Sequence, residues 1–204
     1  MKNVHSLIGL LLFAAAFAPS CKKNDTPSPK NQPLTNTSFE KDAAGWTISG
    51  DAQGGYVAAS YSPDGGVTDG YIYAADDVTG GVWYYKAPAN YMGDKSAYYG
   101  ATLQFSLFQQ SAMADQFAAA DIIFQNGDKQ ITCQLPKYPG HTWTAYSIKI
   151  DEKAAWLNGD YDSGDAAGKA DIKAVLSHVT GFFIRGEFET GDDTGGMDNV
   201  KIIK

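Results

Sequence analysis

The chain has 204 residues and carries 23 acidic side chains against 16 Lys and Arg, a formal net charge of −7. An acidic chain without a basic stripe argues against nucleic acid as partner, and against capture of anionic sugars by bulk charge. Charged residues make up 19% and glycine occupies 22 positions, a balance that suits one turn-rich domain with a sizeable core rather than a charged or disordered chain.

Residues 1–20 read as a lipoprotein signal peptide. Lys2 supplies a short positive start, Leu7 to Phe17 is an unbroken apolar run, and Ala18-Pro19-Ser20 leads into Cys21. The run is too short to span ~30 Å of hydrocarbon. Small residues before a cysteine suit a lipoprotein signal peptidase, although Ala18 stands where such sites usually carry Leu. The expected product is a chain anchored to the membrane through lipid on Cys21; loss of Lys2 makes it one unit more negative. Acyl chains in pairs or triplets anchor firmly where a single one does not. The alternative is an ordinary secretory signal cut near Ser20.

Residues 21–36 read as a disordered tether, with three prolines and no aromatic residue after Cys21. Such a segment buries too little surface to offset its ordering entropy and serves as a spacer. Cys-Lys-Lys-Asn-Asp resembles the start of many Bacteroidetes-type lipoproteins, which implies an outer-membrane anchor facing either periplasm or exterior. With Cys21 lipidated, Cys133 has no partner for a disulfide. It sits in an alternating strand pattern and reads as a buried, inert thiol.

The domain is expected over residues 37–204, and period two dominates it. Strands are expected over 56–61, 71–74 and 83–86. In Trp83-Tyr84-Tyr85, either Tyr84 or the flanking pair faces out. Residues 101–108 alternate Leu103, Phe105 and Leu107 against polar partners. Residues 120–124 and 129–135 flank Asn126-Gly127, a hairpin signal. Residues 144–150 put Tyr146, Ile148 and Ile150 inward. Residues 181–190 place Phe182, Ile184 and Phe188 on one face and Arg185, Glu187 and Glu189 on the other, an expected ion-pair ladder. The last strand, 197–203, turns Val200 and Ile202 inward. One short α-helix is expected over about 170–179, where Ile172, Val175, Leu176 and Val179 recur at helical spacing and Asp165 or Asp171 caps the start. The fold class is all-β: an antiparallel β-sandwich.

Gly81-Val-Trp-Tyr-Tyr-Lys-Ala-Pro88, Tyr91-Met-Gly-Asp94, Tyr99 to Leu107, Phe183-Ile-Arg-Gly-Glu187 and Asp193 to Val200, in that order and spacing, resemble the laminin B (laminin IV type A) domain in the form carried by bacterial lipoproteins. Phe39-Glu40, Gly45-Trp46 and Met197-Asp-Asn-Val-Lys-Ile202 resemble, less specifically, the ends of jelly-roll carbohydrate-binding modules. The resemblances imply a jelly roll whose first and last strands are neighbours, in a family known for binding and adhesion rather than chemistry. They also imply structural Ca²⁺ held by Glu40 and Asp198 with backbone carbonyls.

Other constellations are weaker. Asp160-Tyr-Asp-Ser-Gly-Asp165 resembles an EF-hand loop but has Asp165 where glycine is required, so it reads as an acidic loop next to a helix cap. Glu187 and Glu189 share one strand face instead of flanking a cleft, which disfavours glycoside hydrolysis. Exposed Trp and Tyr offer rigid surfaces to sugar rings; Trp143 and Tyr84 are the candidate ligand-binding residues, with Tyr71, Tyr73, Tyr138 and His141 behind them. The expected function is a non-catalytic cell-envelope module that takes a polysaccharide or a protein partner. The alternative is a structural envelope component without a small ligand, and the least favoured reading is a glycoside hydrolase.

Overall fold

The structure is a computed structural model and describes residues 33–78, 80–111 and 116–204. The expected signal peptide, Cys21 and most of the expected tether lie outside the described residues. The end of the expected tether does not: Pro33–Thr37 forms strand β1, antiparallel to the last strand, so the ordered domain starts four residues earlier than residue 37. Its Thr35 and Thr37 hydroxyls meet the phenols of Tyr98 and Tyr91, side-chain anchors that a polar composition does not reveal.

Two antiparallel sheets enclose the core. The first contains β3 (Ser60–Ser62), β4 (Tyr71–Asp76), β13 (Asp193–Ile203), β6 (Thr102–Ser111) and β9 (Thr144–Lys149) in that spatial order, with β1 also on β13. The second runs β11 (Asp165–Ala166), β10 (Trp156–Asn158), β8 (Lys129–Cys133), β7 (Ile122–Asn126), β12 (Gly181–Arg185), β5 (Tyr84–Lys86) and β2 (Thr47–Ser49). First and last strands are neighbours, as a jelly roll requires.

Alternation explains the inward faces. Ile72 and Ala74 of β4, Leu103, Phe105 and Leu107 of β6, and Phe182 and Ile184 of β12 are all buried. On β13, Met197, Val200 and Ile202 are all buried, although strict period two would turn 197 and 200 to opposite faces. A bulge reconciles them: the register to β6 shifts between Asp198 and Lys201, and Asn199 has φ 56°. The Phe124 and Phe182 rings stack with centres 4.4 Å apart, and Trp46 meets Tyr91 and Phe182 edge-on.

The helix α1, Lys169–Leu176, ends three residues before Val179, which instead exchanges backbone hydrogen bonds with Gly93. Ile172, Val175 and Leu176 are its buried side. Asp171 is the cap, its carboxylate accepting the Gly168 N–H at 2.9 Å. The β7–β8 hairpin is present, but its two turn residues are Gly127 and Asp128, since Asn126 pairs with Lys129.

Two strand expectations change. Of residues 56–61 only Ser60 and Tyr61 enter β3, because Tyr56 adopts φ 54° and projects into solvent. Strand β12 stops at Arg185, where Gly186 packs flat on Trp83: a Cβ at 186 would sit 1.9 Å from the indole. The ion-pair ladder therefore does not form. Arg185, Glu187 and Glu189 are all buried, and Arg185 pairs with Asp121, beside it just before the neighbouring β7, at 3.1 Å.

Candidate functional site

Trp143 is not a free-standing platform. It is half-buried, on the outer side of the first sheet, with its ring edge-on to Phe108 at 4.8 Å and to Tyr71 at 5.3 Å. Tyr71 lies 5.7 Å from Phe108 and 5.8 Å from Tyr73. The result is a cluster of four half-buried aromatic rings from β4, β6 and the entry to β9. Gly196 of β13 makes it possible: β13 runs between β4 and β6, and any Cβ at 196 would lie 2.0 Å from the Phe108 ring.

The loop 63–69 holds this cluster in place. The Trp143 indole N–H donates to the Gly65 carbonyl at 3.0 Å. The loop closes on itself through the Gly66 N–H to the Asp69 carbonyl, and the Val67 N–H donates to Asp198 Oδ2 at 2.8 Å. Asp198 is fully buried, and its other oxygen takes the Asn199 N–H at 2.6 Å. Burial raises its pKa, and the backbone donors work in the opposite direction. Asp198 is thus a backbone anchor for the loop that positions Trp143.

Glu40 has a different setting. It is exposed in the loop after β1 and accepts the Ser38 hydroxyl at 3.1 Å. Of the two carboxylates expected to hold Ca²⁺, Glu40 stands exposed in a loop and Asp198 is a buried loop anchor. Tyr84 is on the opposite side of the sandwich. Trp83 and Tyr85 take the inward positions of that stretch, and Tyr84 faces out beside Phe183 at 6.4 Å. Trp143 and Tyr84 therefore cannot serve one ligand.

Beside the aromatic cluster an open cleft of about 460 Å³ follows the β6–β9 seam, lined by Thr68, Gln104, Ser106, Ser147, Asn199 and Lys201 among others. Leu107 pairs with Thr144 and Phe105 with Tyr146, so Phe108 and Trp143 stand at one end of the cleft, and Ser106 with Ala145, then Gln104 with Ser147, continue it. The face offers a hydrophobic step followed by a polar groove. Phe108 was not among the sequence candidates. Its signal was there: it is the one aromatic residue on the otherwise polar outward positions of β6. Tyr138 is elsewhere, its ring 5.6 Å from the Arg185 guanidinium, and His141 is exposed in the turn.

A second constellation is buried. Oxygens of Asp51, Asp76 and Glu187 lie within 4.8 Å of one another. Burial, and then repulsion from Asp76 and Asp51, pushes the Glu187 carboxyl up to about 7. Burial, then Glu187 and Asp76, pushes Asp193 up to about 8, against a hydrogen bond from Gln109. The EF-hand-like segment has other duties: Asp160 accepts from Gln130 and Gly164, and Asp165 pairs with Asn158 in β11. Cys133 is buried, and burial pushes its thiol up to about 12.

Residues 84–203 match the family model of laminin B (domain IV). That is more than half of the chain, so the chain belongs to the laminin B (domain IV) family. Over 124 residues it is 23% identical to laminin subunit gamma-1 of Xenopus tropicalis, an alignment covering 59% of this chain and 7% of that protein. The chain thus spans a small fraction of the length of this curated relative. Among solved structures, the L4b domain of human laminin alpha-2 superposes with TM-score 0.63 at 13% identity, covering 83% of this chain and 96% of that domain. The family 11 carbohydrate-binding module of the cellulosomal cellulase Lic26A-Cel5E of Clostridium thermocellum superposes with TM-score 0.52 at 14% identity, covering 85% and 94% respectively. Both share the jelly-roll sandwich.

Proposed function

We propose that this chain is a non-catalytic binding module of a cell-envelope lipoprotein, and that it takes a neutral polysaccharide on the outer face of its first sheet. The observation that carries the reading is the aromatic cluster of Tyr71, Tyr73, Phe108 and Trp143 at the head of the polar β6–β9 cleft. Sugar rings pair an apolar face with a rim of hydroxyls. Aromatic rings take the former, and Gln104, Ser106, Ser147 and Asn199 hydrogen-bond the latter. Net negative charge favours a neutral chain over an anionic one. Sharing a fold with a carbohydrate-binding module supports the reading in kind, although not in ligand.

The envelope location rests on the leader and on Cys21 at its end. Lipid on Cys21 would hold the domain to the outer membrane through the tether. A non-catalytic role is supported by the position of the acids: Asp76, Glu187 and Asp193 are buried together instead of facing each other across a cleft.

Native gels cast with a panel of neutral polysaccharides test the proposal. Retardation on at least one of them, abolished by Trp143→Ala or Tyr73→Ala and weakened by Asp198→Ala, is the expected result. No retardation on any, or retardation indifferent to Trp143→Ala, would overturn it and favour a structural component or a protein-binding surface.

A further inference from the structure

Asp51 follows β2, Asp76 ends β4 and Glu187 follows β12, yet the fold brings their oxygens within 4.8 Å of one another. Asp76 is 3% exposed and Glu187 1%. Asp51 Oδ1, Asp76 Oδ2 and Glu187 Oε2 are buried and receive no hydrogen bond among the described residues. Asp193, outside the trio, adds a fourth such oxygen, Oδ1, beside Asp76 in the β4–β13 pairing. Buried carboxylates are ordinarily paired, hydrogen-bonded or bound to metal. The cation whose charge reaches Glu187 is Arg185, and its guanidinium is committed to Asp121.

We propose that Asp51, Asp76 and Glu187 form a binding site for a hard divalent cation, Ca²⁺, with Asp193 as a neighbouring or fourth ligand. The donors are all carboxylate oxygens, the set that suits Ca²⁺ over zinc or copper. Two oxygens that bind one Ca²⁺ at 2.3–2.6 Å stand at most about 4.6–5.2 Å apart, so a trio within 4.8 Å fits around one ion. An open cleft of about 580 Å³, lined by Asp76, Asp77, Asp192 and Asp193, reaches the cluster at Asp76 and offers a cation a negative field there. The remaining donors that Ca²⁺ needs come from water in this cleft and nearby carbonyls. The ion would tie the turn after β2 to the ends of β4 and β12. This site is separate from Glu40 and Asp198 and from the aromatic face, so it stands or falls independently of polysaccharide binding.

The test starts from metal-free protein, prepared with chelator and dialysed, and adds Ca²⁺ or Mg²⁺ while heat of binding and melting temperature are followed. We expect one Ca²⁺ per chain and a higher melting temperature. Asp76→Asn and Glu187→Gln should each weaken Ca²⁺ at least tenfold, whereas Glu40→Gln should not. In chelator the two amide variants should melt no lower than the native chain, because they relieve repulsion; with Ca²⁺ the order reverses. Asp51→Asn, at a half-buried position, provides the same comparison if a buried variant fails to fold. Absence of Ca²⁺ binding to folded metal-free protein would overturn the site and leave carboxyls that share protons. Undiminished binding in Asp76→Asn, Glu187→Gln and Asp51→Asn would overturn it too, by placing the ion elsewhere.

Discussion

Replacing Arg185 with Met tests how far one buried charge organises the second sheet. The guanidinium is enclosed by Phe117, Phe188 and Tyr138, with its central carbon 4.3, 4.6 and 5.6 Å from their ring centres. Its Nη1 donates to Asp121 at 3.1 Å and its Nη2 to the Phe117 carbonyl at 2.9 Å. Methionine fills the slot without the charge. Asp121 then keeps only the Leu135 N–H, at 2.6 Å, among these partners. Stranding one member of a buried pair costs about 3–5 kcal/mol, and the lost contact with the aromatic rings is already inside that figure. Domain stabilities are about 5–15 kcal/mol, so Arg185→Met removes a large share. With a urea slope near 2 kcal/mol/M the midpoint should fall by about 2 M. Asp121→Asn combined with Arg185→Met should lose less than the sum of the two single changes, because the second removes a charge already stranded. A loss below about 1 kcal/mol for Arg185→Met, or strict additivity, would refute the reasoning.

Other outcomes follow from the same geometry. In chelator the melting temperature should fall as pH rises from about 4 to about 8: Glu187 and Asp193 are raised from their ordinary 4.5 and 3.8 to about 7 and 8, so the folded chain holds protons that the unfolded chain has released. A stability that is flat or rises across that window would contradict it. Gly186→Ala should cost at least about 1–3 kcal/mol by overpacking, since its Cβ would lie 1.9 Å from the buried Trp83 ring; an unchanged urea midpoint would count against that contact. Cys133, in protein carrying Cys21→Ser, should resist iodoacetamide at pH 8 until the chain unfolds, because its thiol is buried and pushed up to about 12; stoichiometric labelling of the folded protein would show it to be accessible.

Much of the sandwich was legible because its strands alternate. Leu103, Phe105 and Leu107, or Phe182 and Ile184, announce an inward face with no knowledge of the partner strand. The departures have local causes. Residues 33–36 look like tether because Pro33, Thr35 and Asn36 leave Leu34 as their one large apolar residue, yet β1 is held by main-chain pairing and by hydroxyls that meet Tyr91 and Tyr98. Residues 187 and 189 look like the outer face of a strand because period two was carried past Gly186, where the strand stops. The aromatic cluster was half legible. Trp143, Tyr71 and Tyr73 stood out as residue types, but their contact depends on Gly196 lying flat between two strands far apart in sequence. The acidic trio was illegible for a similar reason: Asp51, Asp76 and Glu187 are distant in the chain and share no motif.

The core treats its buried acids in two ways. Asp121 has an internal counter-charge, a backbone donor and a cage of rings around the guanidinium, so it is balanced by the chain's own residues. Asp198 has no counter-charge but is met by the N–H groups of Val67 and Asn199, which stabilise a carboxylate without a cation. Asp76 and Glu187 each keep a buried oxygen with neither solution, and Asp51 beside them raises the cost of ionising both. A fold able to satisfy Asp121 and Asp198 so fully has the means to satisfy these as well, and a single neutral substitution at Asp76 or Glu187 would remove the repulsion. Packing three carboxyls together in a pocket that opens on an acidic cleft is a cost with no return in the metal-free chain. It becomes a gain once a divalent ion occupies the centre, because the carboxylates that repel one another are then drawn to a shared cation.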